Sequence, residues 1–268
     1  MNDIITSYTF WLVVVSTFCV VAERIFPWRR TQPLLRPELS QDLFWLVFNG
    51  YLATFVLGGV LRHVEWSLGT TFSSLARRAP SSFQLLGDMP LAAQVGIVLV
   101  VSDFVEWFIH NALHRWGPLW SLHRVHHSIT TMDWIGNFRF HWGEILLYKS
   151  IKYIPLAILG ARWETILIAA VIATLIGNLN HSNLNISWGP LRYVLNSPRM
   201  HIWHHDKNPD RPAGVNFGVV FSVWDWIFGT AYMPRDARQP TALGFRNMSK
   251  VPSSLLYRFF APMISKKN

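Results

Sequence analysis

The chain has 268 residues and one cysteine; 51% of it is hydrophobic, with 14 Trp, 18 Phe, a mean hydropathy of +0.22 and a formal charge of +9. This composition points away from an ordinary soluble enzyme. The lone Cys19 excludes an internal disulfide, a thiolate ligand set for zinc or an Fe–S cluster, and a cysteine nucleophile.

The first apolar run, Ile4 to Ala22, is almost free of charge and approaches the roughly 20 residues a spanning helix needs. It opens Met1-Asn2-Asp3, without the basic region of a signal peptide, and no small-x-small cleavage site follows cleanly. It reads as a retained anchor with its amino terminus outside. Arg24, Arg29, Arg30 and Arg36 follow, against Glu23 and Glu38, a cytoplasmic bias under the positive-inside rule. A second run, Leu43 to Leu61, carries no charge and returns the chain outward, so Arg62 to Pro90, with His63, lies outside.

The third run starts at Leu91 and ends in the first of three histidine clusters, His110-x-x-x-His114. Residues three or four apart share a helix face, so both imidazoles can aim at one point. Asp103 lies seven residues before His110 on that face with Trp107, a position suited to accept an N–H from an imidazole. Ionisable groups inside a span are costly and favour a functional role. Gly117-Pro118 breaks the helix, and Ser121 is the expected cap of a second one bearing His123-x-x-His126-His127 on one side.

His141 follows in Asn137-Phe138-Arg139-Phe140-His141-Trp142-Gly143-Glu144, as a ligand, an orienting donor or a substrate contact; Glu144 is a candidate to orient a ligand. Runs near Ile145 to Leu159 and Ile166 to Leu179 form a hairpin entering from and leaving to the cytoplasm. Lys149 and Lys152 make the first of these the weakest span, with side chains that could snorkel to an interface. The hairpin ends in Asn178-Leu179-Asn180-His181, which adds a ninth candidate ligand, His181, and Asn178 as a candidate orienting group. Asn196-Ser197-Pro198 then reads as an N-cap with proline at the first helical position, leading into His201-x-x-His204-His205.

Eight of the eleven histidines thus fall in three clusters. Imidazole is the commonest protein ligand of transition metals, and two ions with four or five nitrogens each need about this supply. The topology places every cluster at the cytoplasmic face. From Ile186 onward eleven Lys/Arg stand against four Asp, a charge suited to anionic headgroups rather than nucleic acid. The expectation is one integral-membrane domain over residues 1–268: an all-α polytopic bundle of four to five spans or hairpins with a cytoplasmic helical cap carrying a dimetal site.

The ordered HxxxH, HxxHH and later HxxHH resemble the fatty acid hydroxylase/sterol desaturase superfamily of integral-membrane di-iron enzymes. Supporting stretches are Asp103, Asn137-Phe138-Arg139, His181-Ser182-Asn183, Ser197-Pro198, Asn216-x-Gly218 and Trp224-Asp225-x-x-Phe228-Gly229-Thr230, so the likeness spans about residues 95–232. The chain departs from the family's pattern at Asn111, Trp107, Trp142 and Gly177, where Arg, Tyr, Pro and a further His are often found. The resemblance implies two Fe ions, O2 as co-substrate, and hydroxylation or desaturation of a sterol, fatty acyl or related lipid. It also implies a separate cytochrome b5- or ferredoxin-like electron donor with its reductase, and residence in a bacterial inner membrane or the endoplasmic reticulum. Zinc would be an adventitious substitute.

Two rival functions make specific demands. A zinc hydrolase of HExxH type needs a glutamate where Asn111 stands and would leave most histidines unemployed. A metal transporter favours ionisable residues at mid-membrane rather than clusters at one surface.

Overall fold

The computed structural model describes residues 7–52, 85–158, 161–209 and 214–264. The part of the second apolar run beyond Leu52, and His63, lie outside the described residues. Among the described residues the architecture is all-α, joined by three isolated β-bridges, Pro27 with Leu184, Leu195 with Phe221 and Asp206 with Leu243.

Helix α1 spans Tyr8–Ile25 and is capped by Ser7, whose hydroxyl accepts the Phe10 N–H. Helix α2, Leu39–Val47, continues into a π-helical turn at Phe48–Leu52. Helix α3, Leu91–Arg115, has 25 residues and is about 37 Å long, more than the hydrocarbon thickness. It ends where Gly117 and Pro118 open the short α4, Gly117–His123. Helices α5 (Trp142–Ile158) and α6 (Trp163–His181) form the later hairpin. After α6 come the shorter helices α7 (Pro198–His204), α8 (Val223–Ile227) and α9 (Leu255–Ile264), the segment expected to form the cap. Helices α1, α3 and α6 are each long and apolar enough to cross a membrane.

The helix directions bring the histidines to one end. Near the starts of α3 and α6, the Thr165 hydroxyl donates to Gln94 Oε1 at 2.9 Å, so the two helices run in parallel towards His110 and His181. Helix α5 runs the other way: Glu144 in its first turn meets His123, while Leu156 near its far end joins Leu86, Val98 and Ala169 in an apolar cluster. It leaves from the histidine end and α6 returns there. The end of α1 is tied to this level by Glu23 Oε1, which accepts from Trp134 N at 2.9 Å and Asn183 N at 2.7 Å.

Three sequence expectations change. Ser121 is not a cap, because Pro118 already occupies the first turn of α4; its hydroxyl donates to Pro118 O at 2.6 Å. The helix therefore ends at His123, and His126 and His127 lie on a separate 3-10 turn. Lys152 does not reach outward but pairs with Glu106 of α3 at 2.9 Å, which neutralises two charges between packed helices.

Arg36, counted above towards the cytoplasmic charge bias, takes part in an internal ion-pair network. It is buried between Asp42 and Asp133, with 2.7 and 2.6 Å contacts to the Asp133 oxygens. Arg139 shares Asp42 and also pairs with Glu38 at 2.6 Å, while Arg258 of α9 reaches Glu38 at 2.8 Å. This network ties α2, the 133–139 loop and α9 together beside the histidines.

Candidate metal centre

The nine histidines come together as two sets. In the first, α3 supplies His110 and His114, the end of α4 supplies His123, the 3-10 turn His127 and α7 His204. In the second, the 3-10 turn supplies His126, the end of α6 His181, and α7 with its C-cap His201 and His205. Each residue offers one ring nitrogen, and within each set these nitrogens all lie within 4.8 Å of one another. Ser197 caps α7 as expected, accepting the Met200 N–H, with Pro198 in its first turn.

Hydrogen bonds on the far side of four rings fix which nitrogen faces inward. His110 Nδ1 lies 2.8 Å from Phe217 O, His204 Nδ1 2.8 Å from Val215 O and His181 Nδ1 2.9 Å from Gly177 O. His123 Nδ1 lies 2.7 Å from Glu144 Oε1. A carbonyl only accepts, so Nδ1 of His110, His204 and His181 carries the proton and Nε2 presents a lone pair. Burial raises the Glu144 carboxyl well above its ordinary range, and when it is ionised beside a cation it imposes the same tautomer on His123. Burial, reinforced by neighbouring imidazoles, holds His123, His126, His127, His201, His204 and His205 well below the ordinary histidine range. They stand neutral at pH 7, as metal ligands must.

This arrangement fits a cation. The Nε2 atoms of His110 and His123 are 2.9 Å apart, and with Glu144 ionised both Nδ1 protons are committed elsewhere. Two lone pairs that face each other at this distance repel unless a positive charge lies beside them. His181 Nε2 stands 3.2 Å from Nε2 of both His126 and His201. Among the described residues, His204 Nε2, His126 Nδ1, His201 Nδ1 and both His205 nitrogens are buried without a hydrogen-bond partner. Buried polar atoms are seldom left so, and a nitrogen-rich set suits iron, zinc or copper.

The support of the first set runs through a loop. Asp225 accepts from Phe217 N (2.9 Å), Gly218 N (2.8 Å), Trp107 Nε1 (3.0 Å) and Thr230 Oγ1 (2.6 Å). Asp103 accepts from Val220 N (2.7 Å), Phe221 N (3.0 Å) and Trp224 Nε1 (2.9 Å). The loop they pin presents the Val215 and Phe217 carbonyls to His204 and His110. Asn216, at φ 58°, and Gly218, where a Cβ would stand 2.3 Å from Phe221 O, give the loop its tight path.

Asp103 therefore holds backbone rather than an imidazole. Seven residues of helix separate the two Cα atoms by about 10.5 Å, beyond the reach of a short aspartate side chain to the ring. Asn178 is also engaged elsewhere, accepting from Asn137 Nδ2 at 2.8 Å. His141 belongs to neither set: its Nε2 donates to Phe259 O at 2.8 Å and its Nδ1 accepts from Gly143 N at 3.0 Å. Glu144 does contact a ring. The roles of Asp225 and of the loop carbonyls were missed at the sequence level, although Trp224-Asp225-x-x-Phe228-Gly229-Thr230 marked the first.

A sequence model of the fatty acid hydroxylase family matches residues 95–230, half of the chain and all nine histidines. The chain belongs to the fatty acid hydroxylase family. It is 29% identical over 265 residues to ornithine lipid hydroxylase OlsE of Rhizobium tropici, covering 96% of this chain and 76% of that one. Alkylglycerol monooxygenase of Caenorhabditis elegans is 30% identical over 137 residues, 49% of this chain and 26% of that one. Methylsterol monooxygenase 1-3 of Arabidopsis thaliana is 26% identical over 153 residues, 56% of this chain and 52% of that one. No solved structure matches the chain.

Proposed function

We propose that the chain is an O2-dependent membrane enzyme that hydroxylates a lipid at an unactivated C–H bond with two iron ions. His110, His114, His123, His127 and His204 would hold one ion; His126, His181, His201 and His205 would hold the other. The reading is carried by the gathering of nine histidines into two sets, in each of which the inward ring nitrogens all lie within 4.8 Å of one another. No side chain attacks a C–H bond unaided, so the metal supplies that chemistry. When bound, the iron pair with O2 and two electrons supplies the oxidation R–H + O2 + 2 e− + 2 H+ to R–OH + H2O.

The protein's own part is to keep nine rings neutral and aimed. Glu144 and the carbonyls of Val215, Phe217 and Gly177 fix ring orientation. Phe140 stacks on His126 with centroids 4.4 Å apart, and Trp120 packs 5.2 Å from His114, so aromatic surface excludes water from the rings. A lipid substrate follows from the relatives, two of which are named as monooxygenases and one, aligned over 96% of this chain, as a lipid hydroxylase. The two electrons come from a separate donor, a cytochrome b5- or ferredoxin-like protein with its reductase. The histidine end faces the cytoplasm of a bacterial inner membrane or of the endoplasmic reticulum.

The test is metal analysis of the purified protein together with lipid profiling of cells with and without the chain. Two irons per chain, reductant-dependent O2 uptake and a lipid gaining 16 mass units are expected. One tightly held zinc with ester cleavage would overturn the reading, and a loss of 2 mass units would show desaturation instead.

A further inference from the structure

The cap exposes apolar side chains on two segments that the metal centre does not use. In the 3-10 turn Gly189–Tyr193 and just after it, Leu191 is 56% exposed, with Tyr193 and Val194 also exposed. On α8 and its C-cap, Ile227 is 64% and Phe228 53% exposed. The two segments form one surface. Trp226 Nε1 donates to Arg192 O at 3.0 Å, and the Tyr193 and Trp226 rings lie 4.9 Å apart.

That surface runs directly into the outward face of α3. Phe228 stacks on Trp107 with centroids 4.6 Å apart, and Trp224 packs on Phe104 at 4.9 Å. One turn further along α3, Phe108 is 64% exposed on a helix long and apolar enough to span a bilayer. The apolar lip thus lies at the level of residues 104–108, just short of His110. Its rim carries the Arg192 guanidinium, 4.9 Å above the Tyr193 ring. Apolar side chains below, aromatic rings with polar tips at the edge and a cation at the rim match the layering of a bilayer interface.

We propose that Leu191–Val194 and Trp226–Phe228 form a lip that seats the cap in the bilayer interface, with Arg192 among the lipid phosphates. An exposed contiguous apolar patch marks an interaction surface, and here its continuity with a spanning helix selects lipid as the occupant. The inference rests on α3 being a span and not on the metal reading. It fixes the rotation of the cap against the membrane, with the first histidine set closest to the lipid on this side.

The experiment uses the full chain in nanodiscs containing phosphatidylcholine and phosphatidylglycerol, with a polarity-sensitive fluorophore attached at Ile227→Cys or, independently, Leu191→Cys. The native Cys19 is fully buried, and labelling of the unmutated chain measures its background. Asp236→Cys, with a side chain 65% exposed, is the solvent control. Both lip sites should emit to the blue of the control and be quenched by a lipid nitroxide placed near the glycerol level. Water-like emission without quenching at both positions would overturn the proposal. So would blue emission that lipid nitroxide leaves untouched while the protein cross-links to a second copy through the same cysteine, because the lip would then be a protein interface.

Discussion

His123 Nδ1 and Glu144 Oε1 lie 2.7 Å apart, both side chains buried, one at the end of α4 and the other in the first turn of α5. The contact is the one carboxylate support given to a ring of either set among the hydrogen bonds of the described residues, the others being carbonyls. Removing such a partner typically costs 10–100-fold in metal affinity. Glu144→Ala should therefore weaken iron retention by about that factor. Glu144→Gln, which keeps an acceptor but loses the charge, should fall between the two. Competition with a calibrated chelator measures both, and equal retention in all three proteins would refute the role.

The two HxxHH clusters are each divided between the sets: His126 leaves its cluster for the second, and His204 leaves its cluster for the first. His126→Ala and His204→Ala should both abolish lipid oxidation while leaving the protein folded in the membrane. Each should keep about one metal per chain, because the other set stays whole. Metal analysis of both variants checks the division, and full activity in either would undo the ligand assignment.

Asp225 satisfies four donors from buried or partly buried groups, two of them backbone N–H groups of the loop that orients His110 and His204. Each donor stranded without a partner costs about 1–3 kcal/mol. Asp225→Ala should lower stability by at least about 3 kcal/mol and reduce metal content in parallel. Thermal unfolding with and without added iron measures both effects. An unchanged midpoint would mean water replaces the carboxylate without loss.

Much of the site could be read from spacing, because residues four apart share a helix face: His110 with His114 on α3, and His201 with His205 at the end of α7, do fall in the same set. The partition of each triplet could not be read that way. In the first triplet it depends on α4 stopping at His123, so that His126 rides on a 3-10 turn and faces His181 instead. The orienting carbonyls of Val215, Phe217 and Gly177 leave no trace in residue identity, since every residue has a carbonyl. The parallel course of α3 and α6 followed from apolar runs and Arg placement. Arg36 nevertheless proved to be an internal ion-pair partner, because Asp42 and Asp133 come near it only once the chain is folded.

Gly177 is one of the departures from the pattern the sequence resembles, and the packing around it is tight. A Cβ at this position would stand 2.9 Å from both amide heavy atoms of Asn137, whose Nδ2 donates to Asn178. Gly177→Ala should push Asn137 aside or shift the end of α6, at a cost of about 1–3 kcal/mol. His181 leans on the Gly177 carbonyl, so metal content of the second set should fall with it. Comparing the melting points and iron content of Gly177→Ala and of the double variant with Asn137→Gly tests the clash. Recovery in the double variant is expected, and no recovery would place the strain elsewhere.

His141 gives a pH signature separable from the metal ligands. Burial pushes its pKa down from 6.5 to about 4, against the opposing hydrogen bond to Phe259 O. Its Nδ1 accepts the Gly143 N–H, so protonation would break that contact. A group whose charged form is disfavoured in the fold binds protons more readily when unfolded, so stability rises with pH between the two values. Above about 6.5 the neutral ring carries no penalty; as pH falls from 6.5 towards about 4 the fold loses on the order of 3 kcal/mol from this residue. The site histidines add a slope of the same sign, which a difference measurement removes. The unfolding free energy of His141→Gln should therefore decline less steeply between pH 7 and pH 5 than that of the unmutated chain. Parallel declines in the two proteins would show that His141 titrates as it does in water.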